Sequence, residues 1–199
     1  MTELALAAAI VVGAYFLGSI PVGLLIARAR GIDIREVGSG NIGATNVARG
    51  LGKKIGAGVL VLDALKGALP MLAVRWLGLA HTVDPLVITA TGFAAVAGHC
   101  FPIWLGFDGG KGVATALGVY LALDPLVTAA GAGVFAVIYA ATRIVSIGSM
   151  SAAVAFPALL LLFGRSNAAV TLGIAVALVI LYRHKGNISR LLHHRENRV

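Results

Sequence analysis

The chain has 199 residues, of which 59% are apolar and only 12% are charged, and its mean hydropathy is +0.94. Soluble globular chains carry about 25% charged residues. This composition therefore excludes a disordered tail protein, a disulfide scaffold and a soluble nucleic-acid binder, and it predicts a polytopic membrane protein. The single cysteine, Cys100, excludes an intrachain disulfide and a cysteine metal site.

Seven apolar runs are candidate transmembrane helices, because a helix needs about 20 apolar residues to cross a bilayer. They cover residues 4–27, 55–77, 85–104, 113–123, 125–141, 147–163 and 168–182. The first run lacks the basic leader of a signal peptide, so we predict a retained span with the N-terminus outside. The stretch 113–141 is too long for one span and short for two, with Asp124-Pro125 as the natural break. A re-entrant element there would leave five or six crossings.

The basic residues agree with seven crossings that end in the cytoplasm. Most of the Lys and Arg residues fall in predicted inside segments, where short cytoplasmic loops collect positive charge. Only Arg165 falls in a predicted outside loop, and the outside turns carry Asp84 and Asp124. We therefore predict an all-α, polytopic helical bundle of about seven transmembrane helices. A single domain covers residues 1–199, with the N-terminus outside and the C-terminus cytoplasmic.

The first predicted inside loop, residues 37–49, is rich in small and polar residues that suit an anion such as phosphate. Its candidate binding residues are Gly38, Ser39, Gly40, Asn41, Asn46 and Arg49. The loop also fits the dinucleotide fingerprint Gly-x-Gly-x-x-Gly, but that motif needs a preceding strand, and membrane helices flank it here. A further alternative is a glycine-rich turn that lets helices pack.

The second polar segment, residues 107–115, opens directly into a predicted helix. Three glycines surround its lysine: Gly109, Gly110 and Gly112 around Lys111. Amides at a helix N-terminus and the ammonium charge would attract the same anion, so this is a second candidate phosphate site. It is not a Walker A loop, because glycine follows the lysine where Ser or Thr should stand. The nearby His99, taken alone, is more typical of a satisfied helix-end histidine than of a catalyst.

Two further pairs of polar residues lie in predicted inside segments. Ser146 and Ser149 are one helical turn apart and share a face, although serines often simply cap helices. His184 and Asn187, at the end of the last predicted span, are i, i+3 neighbours that can face the same space. The tail that follows, residues 188–199, is typical of a basic amphipathic segment on anionic lipid headgroups.

Asp63 and Lys66 are charged residues inside the second predicted span, also spaced i, i+3. Intramembrane charges point to function by default because they are costly to bury. A mutually neutralised structural pair is here as plausible as a substrate contact. Both interpretations stay open, and neither residue is counted among the catalytic candidates.

Phosphate-type sites at the mouth of an apolar bundle predict a substrate that combines a phosphate with a hydrocarbon chain. The chain has no His followed five positions later by Asp and no Gly-x-Ser-x-Gly elbow. Its motifs resemble those of the bacterial acyl-phosphate:glycerol-3-phosphate acyltransferase family (PlsY) over nearly the whole chain. The matching segments are residues 38–49, 98–102, 107–115 and 143–149, together with His184 and Asn187.

The resemblance implies acyl transfer from an acyl phosphate to the 1-hydroxyl of glycerol 3-phosphate, giving lysophosphatidic acid and inorganic phosphate. It implies a seven-span protein of the bacterial cytoplasmic (inner) membrane with its site facing the cytoplasm. No cofactor, metal, acyl-CoA or acyl carrier protein is expected. Expected partners are the two substrates, membrane lipids and the soluble enzyme that makes acyl phosphate, with no nucleic acid.

By motif match, the site would consist of Ser39, Arg49, Lys111, Ser149, His184 and Asn187. Lys111 and Arg49 would hold phosphate, and His184 would contact glycerol 3-phosphate. The serines and Asn187 would orient oxygen atoms. The attacking hydroxyl must lose a proton, either to His184 or, as the family picture has it, to a substrate phosphate. We expect the substrate-assisted version.

A transporter or anion channel is the competing hypothesis from another class. Glycine-broken helices and the Asp63–Lys66 pair would suit it. The polar motifs, however, cluster on one predicted side, whereas a carrier needs a site that both faces can reach. A structural subunit of a larger complex would leave Lys111 and Arg49 unexplained.

Overall fold

The computed structural model describes residues 3–76 and 84–196, and within these ranges the regular structure is helical throughout, with no strand. Met1 and Thr2, the predicted end of the second span at residue 77, and residues 197–199 lie outside the described residues. The α-helices in this part of the chain are α1 Glu3–Gly18, α2 Val22–Arg28, α3 Ala44–Leu51, α4 Lys53–Trp76, α5 Pro85–Cys100, α6 Val113–Leu123, α7 Pro125–Thr142, α8 Val145–Leu162, α9 Asn167–Arg183 and α10 Lys185–Leu192.

Within residues 3–76 and 84–196, five segments are long and apolar enough to cross a membrane, which confirms the prediction of an all-α membrane bundle. They are Ala5–Arg28, Lys53–Trp76, Pro85–Leu105, Pro125–Thr142 and Val145–Leu162. A sixth arises if α9 and α10, which meet at an angle of 57°, form one broken span. Helix α6 has only 11 residues, fewer than a bilayer-spanning helix needs. Seven crossings and the orientation of the termini stay predictions.

The first predicted span is interrupted between α1 and α2. Pro21 has no backbone N–H, and the hydroxyl of Ser19 donates to the carbonyl oxygen of Tyr15 at 2.8 Å. At this interruption, the carbonyl oxygen of Ile20 accepts a hydrogen bond from the ammonium of Lys66, with 2.7 Å between the oxygen and Nζ. A break in one helix thus supplies a partner for a buried charge on another.

The predicted break at Asp124 is present. Helix α6 ends one residue before Asp124. The carboxylate of Asp124 caps α7 by accepting from the amides of Leu126 and Val127 at 3.1 and 3.0 Å. The same carboxylate pairs with Arg165 at 2.5 Å, after the end of α8. Asp124 and Arg165, both predicted to lie in outside turns, therefore lie at the same end of the bundle.

Helices α4 and α6 cross at close range through two glycines. A Cβ atom on Gly67 would collide with the carbonyl oxygen of Thr115, and one on Gly118 would collide with that of Ala64. Small residues at such crossings let membrane helices approach closely. This contact holds the N-terminal end of α6, with the segment that carries Lys111, against the rest of the bundle.

Candidate active site

One cavity of about 300 Å³ lies where the ends of several helices meet. Its lining comes from the loop before α3, from the N-terminal ends of α6 and α8, and from the residues at and after the end of α9. Ten of the sequence candidates line it: Ser39, Asn41, Asn46, Arg49, Lys111, Gly112, Ser146, Ser149, His184 and Asn187. The remaining candidates, Gly38, Gly40, Gly109 and Gly110, belong to the same two loops but do not line it.

The cavity continues from these polar residues into an apolar slot. Val113 and Leu117 of α6, Phe135 of α7 and Ala153 of α8 line its walls. The rings of Tyr120 and Phe156 also line it and stack on each other with centroids 3.7 Å apart. A substrate with an anionic head and a hydrocarbon tail matches this division.

The side chain of Asn46 holds the first loop in shape. Its Oδ1 accepts from the amide of Ser39 at 2.9 Å, and its Nδ2 donates to the carbonyls of Ile34 and Val37 at 3.1 and 2.8 Å. Asn46 is 2% exposed, so these bonds are made in the interior. These bonds fix the shape of the loop, and Ser39 lies at the cavity.

The second half of this loop differs from the sequence expectation of a continuous loop, because residues from Ala44 onward form the short helix α3. Gly43 precedes the helix, and its amide donates to Oδ1 of Asn41 at 2.9 Å. The dinucleotide interpretation also fails on structure, since the described residues contain no strand before the glycines. Arg49, exposed on the last turn of α3, reaches the mouth of the cavity.

Lys111 links the second loop to the residues after α9. Its Nζ donates to Oδ1 of Asn187 at 2.6 Å. Gly112, at φ 82°, begins α6 in a left-handed conformation that favours glycine. Burial, and then the positive charge of Arg190 beside it, lower the pKa of Lys111 to about 8. The lysine is therefore mostly charged at neutral pH. No carboxylate of the described residues is bonded to its ammonium, which leaves it available to an anion.

Glu196 joins three of the cavity residues, and the sequence interpretation of the tail as a lipid-facing segment did not predict this. Its Oε1 accepts from Ser146 at 2.8 Å and from Nδ2 of Asn187 at 2.5 Å, and its Oε2 pairs with Arg190 at 2.7 Å. Burial raises the pKa of Glu196, but these hydrogen bonds outweigh it and hold the pKa below the usual value. Because Asn187 and Arg190 are spaced i, i+3, the sequence could have indicated that Arg190 shares a helix face with Asn187.

His184 and Ser149 are buried cavity residues with unused polar atoms. His184 Nδ1 lies 2.7 Å from the carbonyl of Ile180, and because a carbonyl only accepts, Nδ1 carries the hydrogen. In the neutral ring, Nε2 has no hydrogen-bond partner in the part of the chain that the structure describes, so it can accept a proton. Ser149 is 5% exposed, and its hydroxyl has no partner within the described part of the chain.

Asp63 and Lys66 form a buried ion pair at 2.8 Å, and His99 Nδ1 lies 3.6 Å from the same carboxylate oxygen. Asp63 and His99 also line the inner wall of the cavity. The pair is mutually neutralised, as one of the two open interpretations expected, and it borders the site as well. Among the residues described, no three His, Cys, Asp or Glu side chains are grouped as metal ligands.

The chain matches known proteins along almost its full length. The family model described as glycerol-3-phosphate acyltransferase matches residues 8–194. A protein of that name from Anaeromyxobacter sp. (strain Fw109-5) is 45% identical, with 100% of this chain and 99% of the relative covered. One from Geobacter sulfurreducens is 49% identical, with 93% of each chain covered.

Two crystal structures share the fold. Both are of PlsY (YgiH), an integral membrane glycerol 3-phosphate acyltransferase, one in its glycerol 3-phosphate form and one in its lysophosphatidic acid form. The first has a TM-score of 0.91 and 45% identity, and covers 97% of this chain and 95% of that one. The second has a TM-score of 0.88 and 44% identity, and covers 96% and 94%. By sequence and by structure, this chain belongs to the glycerol-3-phosphate acyltransferase family of multi-pass membrane proteins.

Proposed function

We propose that this protein transfers a fatty acyl group from acyl phosphate to the 1-hydroxyl of sn-glycerol 3-phosphate, releasing lysophosphatidic acid and inorganic phosphate. This is the first acylation of phospholipid synthesis. The observation that carries the proposal is the two-part cavity, with cationic and hydroxyl groups at its mouth and an apolar slot beneath. The related structures in glycerol 3-phosphate and lysophosphatidic acid forms support the same pair of ligands.

Lys111 and Arg49 are the cations that would hold phosphate groups at the mouth of the cavity. Both line it, and Lys111 stands next to the free amides at the start of α6. Ser39, Ser149 and Asn187 would orient the substrate oxygens. Holding two reactants in place can supply about 7–11 kcal/mol of the barrier reduction. Cations aimed at the departing phosphate would stabilise the charge that develops there.

The reaction requires one bond to form and one to break at the acyl carbon. The 1-hydroxyl oxygen of glycerol 3-phosphate attacks that carbon, and the bond from the carbon to the phosphate oxygen breaks, with the electron pair leaving on phosphate. An acyl phosphate is already activated, so no acyl-enzyme intermediate is needed. The hydroxyl proton would pass to a substrate phosphate, which is the substrate-assisted route.

His184 is the alternative proton acceptor, because its Nε2 is free and the residue lines the cavity. A general base typically contributes about 10²–10⁴-fold to the rate. Under the substrate-assisted route, His184→Ala raises KM for glycerol 3-phosphate and lowers kcat by less than that range. Loss of kcat by 10²-fold or more with KM unchanged would assign the proton to His184 instead.

We further propose that the chain is one domain with seven crossings in the bacterial inner membrane, its N-terminus outside and its cavity facing the cytoplasm. The basic residues at the cavity end, such as Lys53, Lys54 and Arg143, support this side by the positive-inside rule. A cytoplasmic mouth would also receive acyl phosphate from the soluble enzyme that makes it. Labelling of single cysteines in intact cells, in a Cys100→Ala background, would report the sidedness.

The direct test supplies palmitoyl phosphate to the purified protein in detergent, with and without glycerol 3-phosphate. We expect lysophosphatidic acid and phosphate in equal amounts, only when both substrates are present. Lys111→Ala should remove both products, whereas Lys54→Ala, which changes an exposed lysine on α4 outside the cavity, should not. Product formed from palmitoyl-CoA instead would contradict the acyl-phosphate donor. No product from folded protein with either donor would move the work to anion flux in liposomes.

A further inference from the structure

Arg183, the last residue of α9, binds the backbone of the loop that carries Lys111. Its Nε donates to the carbonyl of Gly110 at 3.0 Å, and its Nη2 donates to the carbonyl of Gly109 at 2.6 Å. Nη2 also lies 2.8 Å from the carboxylate of Asp108. The Arg183 side chain is 15% exposed, and its guanidinium lies 5.6 Å from the ring centroid of Phe101.

The amide sides of the same two glycines are fixed by the end of α5. The Gly109 amide donates to the carbonyl of Cys100 at 3.1 Å, and the Gly110 amide donates to that of His99 at 3.0 Å. Both hydrogen-bonding groups of Gly109 and of Gly110 are therefore occupied. The next backbone N–H groups, those of Lys111, Gly112 and Val113, have no hydrogen-bond partner within residues 3–76 and 84–196, and these three residues line the cavity.

We propose that Arg183 is a positioning residue that turns two loop carbonyls away from the cavity, so that Lys111 and the free amides after it meet the substrate phosphate. This inference rests on the proposed function, because it concerns the same phosphate site. A carbonyl oxygen that pointed into the cavity would repel an anion. The planar guanidinium suits this task because it donates to two neighbouring acceptors at once, which a lysine ammonium cannot match in fixed geometry.

The position of Arg183 also connects the two halves of the site. Arg183 immediately precedes His184 in the chain, and Lys111 binds Asn187, three residues after His184. Asp108 contributes little to this arrangement, since its side chain is 86% exposed and exposed ion pairs are weak. The two carbonyl bonds are thus the contacts that matter.

The test measures the dissociation constants of glycerol 3-phosphate and of inorganic phosphate by titration calorimetry, which needs no acyl donor. For Arg183→Gln we expect the constant for at least one ligand to rise by roughly 10-fold or more, because two charge-assisted bonds are lost. Arg183→Lys, which keeps the charge, should give a smaller rise that still exceeds 3-fold. The matched control is Arg165→Gln, which removes an arginine paired with Asp124 at the opposite end and should leave both constants unchanged.

A merely structural role would lower the melting temperature and the fraction of folded protein without changing the constants of the folded fraction. Constants for both ligands within 3-fold of the original protein in folded Arg183→Lys and Arg183→Gln would overturn the proposal. If the original protein binds glycerol 3-phosphate but transfers no acyl group, the proposed function fails while this inference still holds. In a Lys111→Ala background the effect of Arg183→Lys should shrink, because Arg183 acts partly through that lysine.

Discussion

At the end of the bundle away from the cavity, helices α5 and α7 each begin with an aspartate cap. Asp84 and Asp124 each precede a proline, and each carboxylate accepts from the first amides of the helix that follows. At the cavity end, the loops pass through left-handed glycines such as Gly38, Gly40 and Gly112, and helix α6 begins without a side-chain cap. Among the described residues with positive φ, only Gly164 lies at the far end.

The difference lies in what each end does with its hydrogen-bonding groups. At the far end, the side chains of Asp84, Asp124 and Ser166 each accept from orphan amides in the first turn of the helix that follows. At the cavity end, Asn46 and Arg183 bind the backbone of the two loops. The amides of residues 111–113 have no hydrogen-bond partner among the described residues. An anionic substrate needs hydrogen-bond donors and cations that the fold has not already paired, and the cavity end supplies them.

Among the changes that test this contrast between the two ends, the largest expected effect comes from adding one methyl group to the loop before Lys111. In Gly109→Ala, the new Cβ would collide with the carbonyl oxygen of His99 and with the ring of Pro102, neither of which can rotate away. The loop must shift, and a misplacement of about 1 Å can cost roughly 10²-fold. We expect kcat/KM for acyl transfer to fall by about that factor while the protein still folds in detergent.

Gly133→Ala on α7 is the matched control for this change. Nothing lies within 4 Å of a Cβ at Gly133, so the same methyl group meets no neighbour there. Alanine at this helical position should leave the activity within twofold and slightly raise stability. Equal activities of the two variants would show that the loop tolerates displacement. They would contradict the claim that the fixed geometry at the cavity end is needed for acyl transfer.

A smaller, reversible effect is expected from pH. The pKa of Lys111 is about 8 in the free protein, so its positive charge is present below that pH and is lost as the pH rises through it. Because kcat/KM reports the free enzyme, it should fall about tenfold per pH unit above this value. Lys111→Arg keeps its charge and should move the decline to higher pH. A decline near pH 8 that persists in this variant would assign it to another group.

Much of this site could be predicted from local spacing. Ser146 and Ser149 are predicted to share a helix face, and His184 and Asn187 are predicted to face the same space. All four line the cavity. Ser146 and Ser149 are one turn apart on α8, and His184 immediately precedes α10, whose first turn carries Asn187. The break at Asp124 was predictable for the same reason, because an aspartate before a proline is a local signal for a helix start.

What the sequence could not reveal depends on contacts between distant segments. Glu196 lies in a tail of basic composition, and the turn after α10, with His194 at φ 54°, brings its carboxylate back towards Ser146. Arg183 binds carbonyl oxygens, which every residue has, so no side-chain pattern indicates its partners. The buried pair Asp63–Lys66 could be recognised, but its contact with the carbonyl of Ile20 requires the helix break at Pro21.

The smallest expected effect tests the far end. Asp124→Ala removes the cap of α7 and the ion pair with Arg165, so we expect stability to fall by about 0.5–2 kcal/mol. Asp124→Asn should lose less, because asparagine also caps helices and only the ion pair is lost. Thermal unfolding in detergent measures the difference, and kcat/KM of both variants should stay within twofold of the original. If kcat/KM of the folded variants fell by more than twofold, the far end would also shape the cavity, through the short helix α6 that joins Asp124 to Lys111.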